Sequence, residues 1–265
     1  NPQGGLYQVP VLGGTPKKIL SRVSQPISIS HDGKQIAFGR YHLSGTVDEL
    51  FIAKSDGSDE RRILSVNEPE WLGGSNPVWS PDGESIAVAI GSLSKNNFTG
   101  NNLGMTPTVI SVADGSRKSV APSQWVYIGR MAWFNDGSGL VFLAQDQQLS
   151  PAQLWQLSYP EGESRRITND LNSYEVYNLT LTANDSSLIA VQADRVSNIW
   201  YVDANQPGGE KALTSRKNEL EGSRGIAWTA DGRIVYDSNI GGGSGSIWAV
   251  SADGGEASQL FDNKS

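Results

Sequence analysis

The sequence predicts an all-β fold, a β-propeller built from four-stranded antiparallel blades, and three observations lead to it. Two apolar strands around a tight turn recur five times, with the turns at residues 32, 82, 136, 184 and 231. A second strand pair follows each copy. The composition, with 37% hydrophobic residues, 30 glycines and eight tryptophans, is that of a turn-rich, packed protein. A period of about 50 residues in an all-strand pattern indicates repeats that must stack on neighbours to bury their faces.

The first strand of each copy alternates apolar and polar residues, as in Pro77-Val78-Trp79-Ser80. Such alternation is typical of a strand with one face against a neighbour. One position of this strand carries a large side chain in every copy, and we expect it to form core between blades. The residues at this position are Ile29, Trp79, Trp133, Leu181 and Trp228.

An Asp-Gly dipeptide follows the first strand in four copies, and Asn184-Asp185 replaces it in the other. Asp-Gly tolerates positive φ, so a two-residue hairpin is predicted at each turn. The second strands are short apolar runs, which indicates burial on both faces. These runs are 36–38, 86–88, 140–142, 188–191 and 234–236.

The outer hairpin of each repeat joins an alternating third strand to a fourth strand through a glycine-containing turn. Six such hairpins are predicted, with third strands at 6–9, 50–53, 108–111, 154–157, 199–202 and 247–250. Pairs of basic residues precede the last apolar residues of four repeats, where Lys or Arg discourages association between sheet edges. The pairs are Lys17-Lys18, Arg61-Arg62, Arg117-Lys118 and Arg165-Arg166.

Six outer hairpins but only five inner hairpins are predicted. A six-bladed propeller with one incomplete blade is therefore favoured, and five or seven blades are alternatives. The even repeat argues for a single domain over 1–265. Its repeats are an outer hairpin at 1–20 and then 21–66, 67–122, 123–170, 171–216 and 217–265. Because the chain begins halfway through a repeat and without methionine, we expect it to be a piece of a longer protein.

Charge and composition exclude several classes of function. The 21 basic and 28 acidic residues leave a net charge of −7, which disfavours nucleic acid because phosphates need a basic surface. No apolar run reaches eighteen residues, so no direct membrane contact is expected. No cysteine is present to bind metal or form disulfides. We expect no metal, no cofactor and a monomeric domain.

Catalytic constellations are also missing from the sequence. The two histidines are His31, in a turn, and His42, which shares a loop with Ser44 and Asp48. Proximity along a loop is weak support for a triad, because triads are defined by geometry. No nucleophile-elbow motif with its strand-to-helix context occurs. The acidic stretch 54–60 lacks the calcium-loop pattern and is predicted to be a solvated turn. We therefore expect no catalytic activity in this chain.

The stretch from Trp79 to Ala87, Trp-Ser-Pro-Asp-Gly-Glu-Ser-Ile-Ala, resembles the WD40-like repeat of TolB-type propellers. The resemblance covers nearly the whole chain, with departures at His31 and at Asn184-Asp185 that are expected to weaken two turns. Residues 4–20 more narrowly resemble propellers fused to bacterial serine/threonine kinases and winged-helix regulators. That resemblance implies an extracytoplasmic sensor or interaction domain, with a cytoplasmic location as the alternative.

Propellers bind protein, peptide or small-molecule ligands where loops converge at a channel mouth. The segments that enter the first strands should gather there, and their aromatic, amide and arginine side chains suit recognition. The predicted binding residues are Trp71, Asn76, Trp125, Tyr127, Arg130, Tyr174, Tyr177, Asn178 and Arg224. The polar insertion from Gly91 to Thr106 is predicted to be a surface loop that could cap the ligand.

Two functions follow from these expectations. The favoured one is a non-catalytic binding propeller that serves as a sensor or scaffold in a bacterial signalling protein, with Arg130 and Arg224 needed for partner capture. The alternative is an accessory or gating propeller of a prolyl-oligopeptidase-type peptidase or a carbohydrate-active enzyme. In that class, which the chain resembles at the level of its repeats, catalysis belongs to a separate segment.

Overall fold

The structure is a computed structural model. It describes residues 4–24, 26–41, 47–73, 76–93, 103–121, 124–147, 150–170, 172–193, 196–203, 208–216, 220–238 and 246–261. The regular elements in these ranges are β-strands, and all strand pairs are antiparallel. The predicted all-β fold, with four-stranded blades of the propeller type, is confirmed. The chain divides into two compact units, one of residues 1–146, 152–169 and 174–191, the other of residues 147–151, 170–173 and 192–265.

The first unit holds most of the strands. A two-stranded sheet pairs β1 (Gly4–Gln8) with β2 (Lys17–Val23). The next sheet runs β3 (Ser28–Ile29), β4 (Gln35–Tyr41), β5 (Val47–Lys54), β6 (Arg61–Asn67). In the third, β7 (Glu70–Leu72) and β8 (Val78–Trp79) both pair with β9 (Ser85–Leu93), followed by β10 (Leu103–Ser111) and β11 (Arg117–Ser119).

The same unit continues with a four-stranded sheet of β12 (Tyr127–Trp133), β13 (Gly139–Gln145), β14 (Gln153–Ser158) and β15 (Ser164–Arg166). A two-stranded sheet of β16 (Ser173–Leu181) and β17 (Leu188–Ala193) follows and lies almost wholly in this unit.

The second unit contains a small hairpin and one complete blade. The hairpin pairs β18 (Trp200–Tyr201) with β19 (Lys211–Ala212). The blade is formed by β20 (Glu221–Trp228), β21 (Arg233–Ser238), β22 (Ser246–Ser251) and β23 (Ser258–Phe261). Its core contains Ile199, Leu213, Ile234, Tyr236 and Val250.

The predicted order of hairpins is confirmed, with six outer and five inner strand pairs among the described residues. In four repeats the second strand pairs with the third and makes one continuous sheet, as between β4 and β5. In the fourth repeat β17 and β18 belong to separate sheets. The number of blades and the single-domain organisation remain predictions.

The inner turns are longer than the predicted two-residue hairpin. Gly33 N–H donates to the Ser30 carbonyl and Ser30 N–H to the Gln35 carbonyl, so four residues form the loop. Only the glycine has positive φ, +72°, which fits a type I turn followed by a left-handed residue. Asp32 has negative φ. Its carboxylate accepts hydrogen bonds from the Ser30 hydroxyl and the Lys34 N–H, and these bonds stabilise the loop.

The turn at Asn184-Asp185 keeps this geometry rather than losing it. Asp185 adopts φ +56° at the position of the glycine, which aspartate tolerates better than most residues. The Asn184 side-chain oxygen accepts the Ser186 N–H at 3.2 Å. The expected weakening of this turn is therefore offset, since the Asn184 side chain accepts a backbone hydrogen bond like the one that Asp32 accepts in its own turn.

Burial on both faces is confirmed for three of the five second-strand runs, is partial in 234–236, where Val235 is only partly buried, and is contradicted in 188–191. Phe38, Ile86 and Leu140 are inaccessible to solvent, whereas Ile189 and Val191 of β17 are exposed. The reason is that β17 ends its sheet, so no described strand continues the blade beside it. At the first-strand position Trp79 and Trp133 are core as predicted, but Ile29 and Trp228 are exposed in their units.

The insertion 91–106 was expected to be a loop, and its described ends are strand instead. β9 extends to Leu93 and pairs in register with β10 from Leu103. The strands continue because Met105, in the middle of this extension, is buried and bridges to Trp125. Residues 94–102 lie outside the described residues.

The basic pairs lie on fourth strands, β2, β6, β11 and β15, as predicted. Three of these side chains also form ion pairs with carboxylates on other segments of the chain, as Arg62 does with Glu49 and Arg117 with Glu70. Their charges therefore serve the fold as well as the sheet edge.

Candidate functional site

A cleft in the first unit is lined by residues of β3, β8, β12 and β16 and of the turns beside them. We call it the inner-strand cleft. It has about 630 Å³ of empty volume, open to solvent on one side. Its wall combines apolar and polar side chains from four consecutive repeats. They include Ile29, Trp79, Arg130, Trp133, Leu179 and Thr180.

The wall is held together where β12 lies against β16. The hydroxyls of Tyr127 and Tyr177 are 2.7 Å apart, and their rings meet edge to face. Gly129 is required beside them because a Cβ there would lie 2.0 Å from the Val176 carbonyl oxygen. The absence of a side chain thus lets the two inner strands approach closely.

Arg130 follows in the same strand, at an irregularity in the β12–β13 register between Ile128 and Met131. Its Nε donates to the Leu179 carbonyl oxygen at 3.2 Å. The side chain is partly buried and lines the cleft. The bulged register re-aims side chains in this way at many sheet edges.

The turns beyond these strands are joined as well. Asn135 donates its backbone N–H to one Asp185 oxygen at 2.7 Å and its amide N–H to the other at 2.8 Å. Its amide also donates to the Ala183 carbonyl. On the other side of β12, Trp133 Nε1 donates to the Val78 carbonyl of β8 at 3.2 Å. The cleft wall is therefore built on linked, rigid strands.

The structure brings three predicted binding residues together at this seam: Arg130, Tyr127 and Tyr177. Asn178 is exposed beside them on β16. Tyr174 is partly buried against the core that contains Leu143. Nothing in the structure tests whether these residues bind a ligand, so their binding role stays a prediction.

Three other predicted residues lie in less accessible places. Trp125 is 2% exposed and packs edge to face on Phe142 and Trp155, so its side chain belongs to the core. Asn76 is buried. Trp71 lies in strand β7 rather than in a loop, and its ring covers Gly91, where a Cβ would be 2.2 Å from it. Trp125 and Asn76 were predicted to lie on an exposed binding surface, but both side chains are buried.

Arg224 belongs to the second unit. Its side chain is exposed, and its backbone N–H donates to Asp237 at 2.9 Å. His42 and Ser44 lie outside the described residues. Sequence reasoning missed Ser28, His31 and Thr180 as cleft residues. Their position at the end of a first strand, next to the turn, is the signal that could have indicated them.

Two turn carboxylates near the cleft, those of Asp32 and Asp136, are held ionised by local hydrogen bonds. The Ser30 hydroxyl and the Lys34 N–H lower the pKa of Asp32 below its ordinary value. Ser138 does the same for the pKa of Asp136, through its hydroxyl and its N–H. These carboxylates are turn-forming groups, because their oxygens are engaged within their own loops.

The described residues contain no group of three His, Asp or Glu side chains placed to share a metal ion. In the part of the chain that the structure covers, no helix is long and apolar enough to cross a membrane.

Two curated proteins are similar to this chain in sequence, and both are named as peptidases. The uncharacterized peptidase YuxL of Bacillus subtilis is 26% identical over 164 residues, 62% of this chain and 21% of that protein. Dipeptidyl-peptidase 5 of Porphyromonas gingivalis is 24% identical over 203 residues, 74% of this chain and 28% of that protein. The chain therefore spans about a quarter of the length of these relatives. No protein-family model matches it.

Solved structures show the same fold. TolB from Acinetobacter baumannii superposes with a TM-score of 0.53 at 18% identity, over 98% of this chain and 60% of that one. A prolyl endopeptidase gives 0.51 at 12% identity, over 98% and 39%. The oligogalacturonate lyase from Vibrio parahaemolyticus gives 0.52 at 12% identity, over 98% and 72%. At these identities the likeness shows the fold alone, a TolB-like β-propeller.

Proposed function

We propose that this chain, a TolB-like β-propeller whose fold is shared with prolyl endopeptidases, is a non-catalytic domain that receives peptides for a peptidase. The observation that carries the proposal is the match of both curated relatives, each named as a peptidase, to 62% and 74% of this chain. The alternative raised by the sequence is thus better supported than the sensor domain. None of the relatives reported above is a kinase or a winged-helix regulator. The cellular location stays a prediction.

The inner-strand cleft suits an extended peptide. β3 and β12 each end their sheet in the described residues, so one backbone edge of each carries no strand. An extended peptide can use such an edge for main-chain hydrogen bonds while its side chains fill neighbouring pockets. Trp79 and Trp133 supply apolar wall between them.

Catalysis in the cleft itself is disfavoured by the hydrogen bonds of Ser80 and by the lack of a base paired with His31 in the described residues. The Ser80 hydroxyl donates to Asp82 and accepts the Ser85 N–H, so it is engaged in its turn. No hydrogen bond joins His31 to a serine or a carboxylate among the described residues. A nucleophile activated by an adjacent base is therefore not assembled there. The proposed hydrolysis belongs to another domain.

The test uses the gene product that contains this chain, purified and incubated with fluorogenic peptides of three, ten and thirty residues. We expect hydrolysis that a serine-directed phosphonate abolishes and that falls with peptide length, because a propeller admits short chains more readily than long ones. Full activity on the thirty-residue peptide would argue against size selection. Absence of peptide hydrolysis, or activity only on oligosaccharides, would overturn the proposal.

A further inference from the structure

Arg130 has unused hydrogen-bond donors at the wall of the inner-strand cleft. Its Nε donates to the Leu179 carbonyl, and its two terminal nitrogens have no partner in the described part of the chain. The side chain is partly buried rather than free in solvent. A guanidinium in such a place has five donors to satisfy and carries a positive charge.

The other buried or partly buried arginines among the described residues each lie within 4 Å of a carboxylate. Arg40 pairs with Glu60, Arg216 lies 3.9 Å from Glu221, and Arg233 pairs with Asp231. In the described ranges, Arg130 is the one arginine that is partly buried and has no carboxylate within 4 Å. In a chain with seven more acidic than basic residues, this lack of an acidic neighbour calls for an explanation.

No carboxylate lines the cleft around Arg130 in the described residues, although the ionised Asp32 and Asp136 lie at turns near it. None of the described residues that line it is Asp or Glu, and Ser28, His31 and Thr180 add groups that can donate hydrogen bonds. Asp185, at the neighbouring turn, has both carboxylate oxygens engaged by Asn135. Trp79 and Trp133 also line the cleft, and charges beside apolar protein surface attract each other more strongly than in bulk water.

We propose that the guanidinium of Arg130 binds a carboxylate of the peptide in the inner-strand cleft. This rests on the proposed function and specifies its substrate as a peptide with a free carboxylate. The two terminal nitrogens present parallel N–H groups, which match the two oxygens of a carboxylate in a bidentate pair. Nε remains on Leu179 and fixes the plane of the guanidinium, so the donors are held ready before the ligand arrives.

The carboxylate can come from the carboxy terminus of the peptide or from an acidic side chain. Calorimetric titration of this chain with four peptides of one apolar sequence separates these sources. The peptides carry a free carboxy terminus, an amidated terminus, an amidated terminus with an internal Glu, and an amidated terminus with an internal Gln. We expect at least one acidic form to bind about 10 to 100 times more tightly than its amide counterpart.

The variants assign that preference to Arg130. Arg130→Ala should abolish the difference in affinity between acid and amide peptides. Arg130→Lys should retain part of this difference, because lysine keeps the positive charge but lacks the two parallel N–H donors. Arg165→Ala is the matched control. Arg165 is exposed on β15, donates to Gln156 and has no ion pair with a described residue, so its loss should leave binding unchanged. Thermal melting of each variant checks that the fold is kept, and Arg130→Gln replaces Arg130→Ala if the latter is unfolded.

The outcomes distinguish this inference from the proposed function. Equal affinity for acid and amide peptides, or a preference that survives in Arg130→Ala, would overturn the carboxylate site while leaving peptide reception intact. Binding of digalacturonate without binding of any peptide would overturn the peptide as ligand. A preference that disappears in Arg130→Ala but not in Arg165→Ala supports the site.

Discussion

Arg40 and Glu60 form a bidentate ion pair that helps to join the amino-terminal hairpin to the next blade. Nη1 lies 2.5 Å from one oxygen of Glu60 and Nη2 2.8 Å from the other. Arg40 also donates to the carbonyls of Ser21 and Arg22, at 2.9 Å each, and its guanidinium lies over the Phe51 ring. One buried arginine therefore connects three segments of the chain.

Replacing Arg40 with alanine should destabilise the protein by about 2 to 4 kcal/mol, because a mostly buried pair and two carbonyl contacts are lost together. Urea unfolding measures the change. The control is Lys34→Ala, which removes an exposed pair with Asp32 and should cost no more than about 0.5 kcal/mol. Similar midpoints for both variants would show that Arg40 contributes little. Hydrogen exchange of β2 should accelerate in Arg40→Ala alone.

Gly129→Ala should lower stability by more than about 2 kcal/mol, since the new Cβ would lie 2.0 Å from the backbone oxygen of Val176 and backbone must move to relieve it. Gly225→Ala is the matched control on β20, where nothing lies within 4 Å of the added carbon. Equal melting temperatures for the two variants would mean that β12 and β16 do not approach closely.

The Tyr127 and Tyr177 hydroxyls should show energetic coupling. In a double-mutant cycle, either change to phenylalanine removes the bond between them, so the second change adds little. We expect a coupling of about 0.5 kcal/mol in thermal unfolding, as for an exposed neutral hydrogen bond. Strict additivity of the two changes would contradict the contact.

Trp125→Ala should destabilise by about 3 to 5 kcal/mol, because this side chain fills core between Phe142 and Trp155. Trp228→Ala is the comparison. It removes the same kind of side chain from an exposed position and should lower the stability far less. Chemical denaturation of both variants makes the test. A small effect at Trp125, together with loss of peptide binding, would restore the surface role that the sequence first indicated.

Acid should weaken the outer turn at Asp114. The Ser116 N–H, helped by the Ser111 and Ser116 hydroxyls, lowers the pKa of this carboxyl to about 2. Its stabilising effect is present above the ordinary pKa of 3.8 and is lost as pH falls toward the folded value. The melting temperature of the wild type should therefore approach that of Asp114→Ala between pH 4 and about 2. A gap that stays constant over that range would contradict this assignment.

Sequence alone determined the class of fold and the order of its hairpins. Alternation, apolar runs and glycine-containing turns are local properties, and each predicted inner and outer strand pair from β1 to β23 is formed. The sequence also indicated Arg130, Tyr127 and Tyr177, because they break the repeating core pattern in a segment that enters a first strand.

Tertiary structure decided which of those side chains can meet a ligand. Trp125 and Tyr127 are two residues apart and looked alike in sequence, yet one packs on Phe142 and the other bonds to Tyr177. Burial depends on what neighbouring repeats place opposite a residue, and no local pattern contains that information. The arrangement of the Arg130 guanidinium likewise depends on a neighbouring repeat. The contact of β12 with β16, which Gly129 allows, sets Nε on Leu179 and leaves the terminal nitrogens without an acceptor among the described residues.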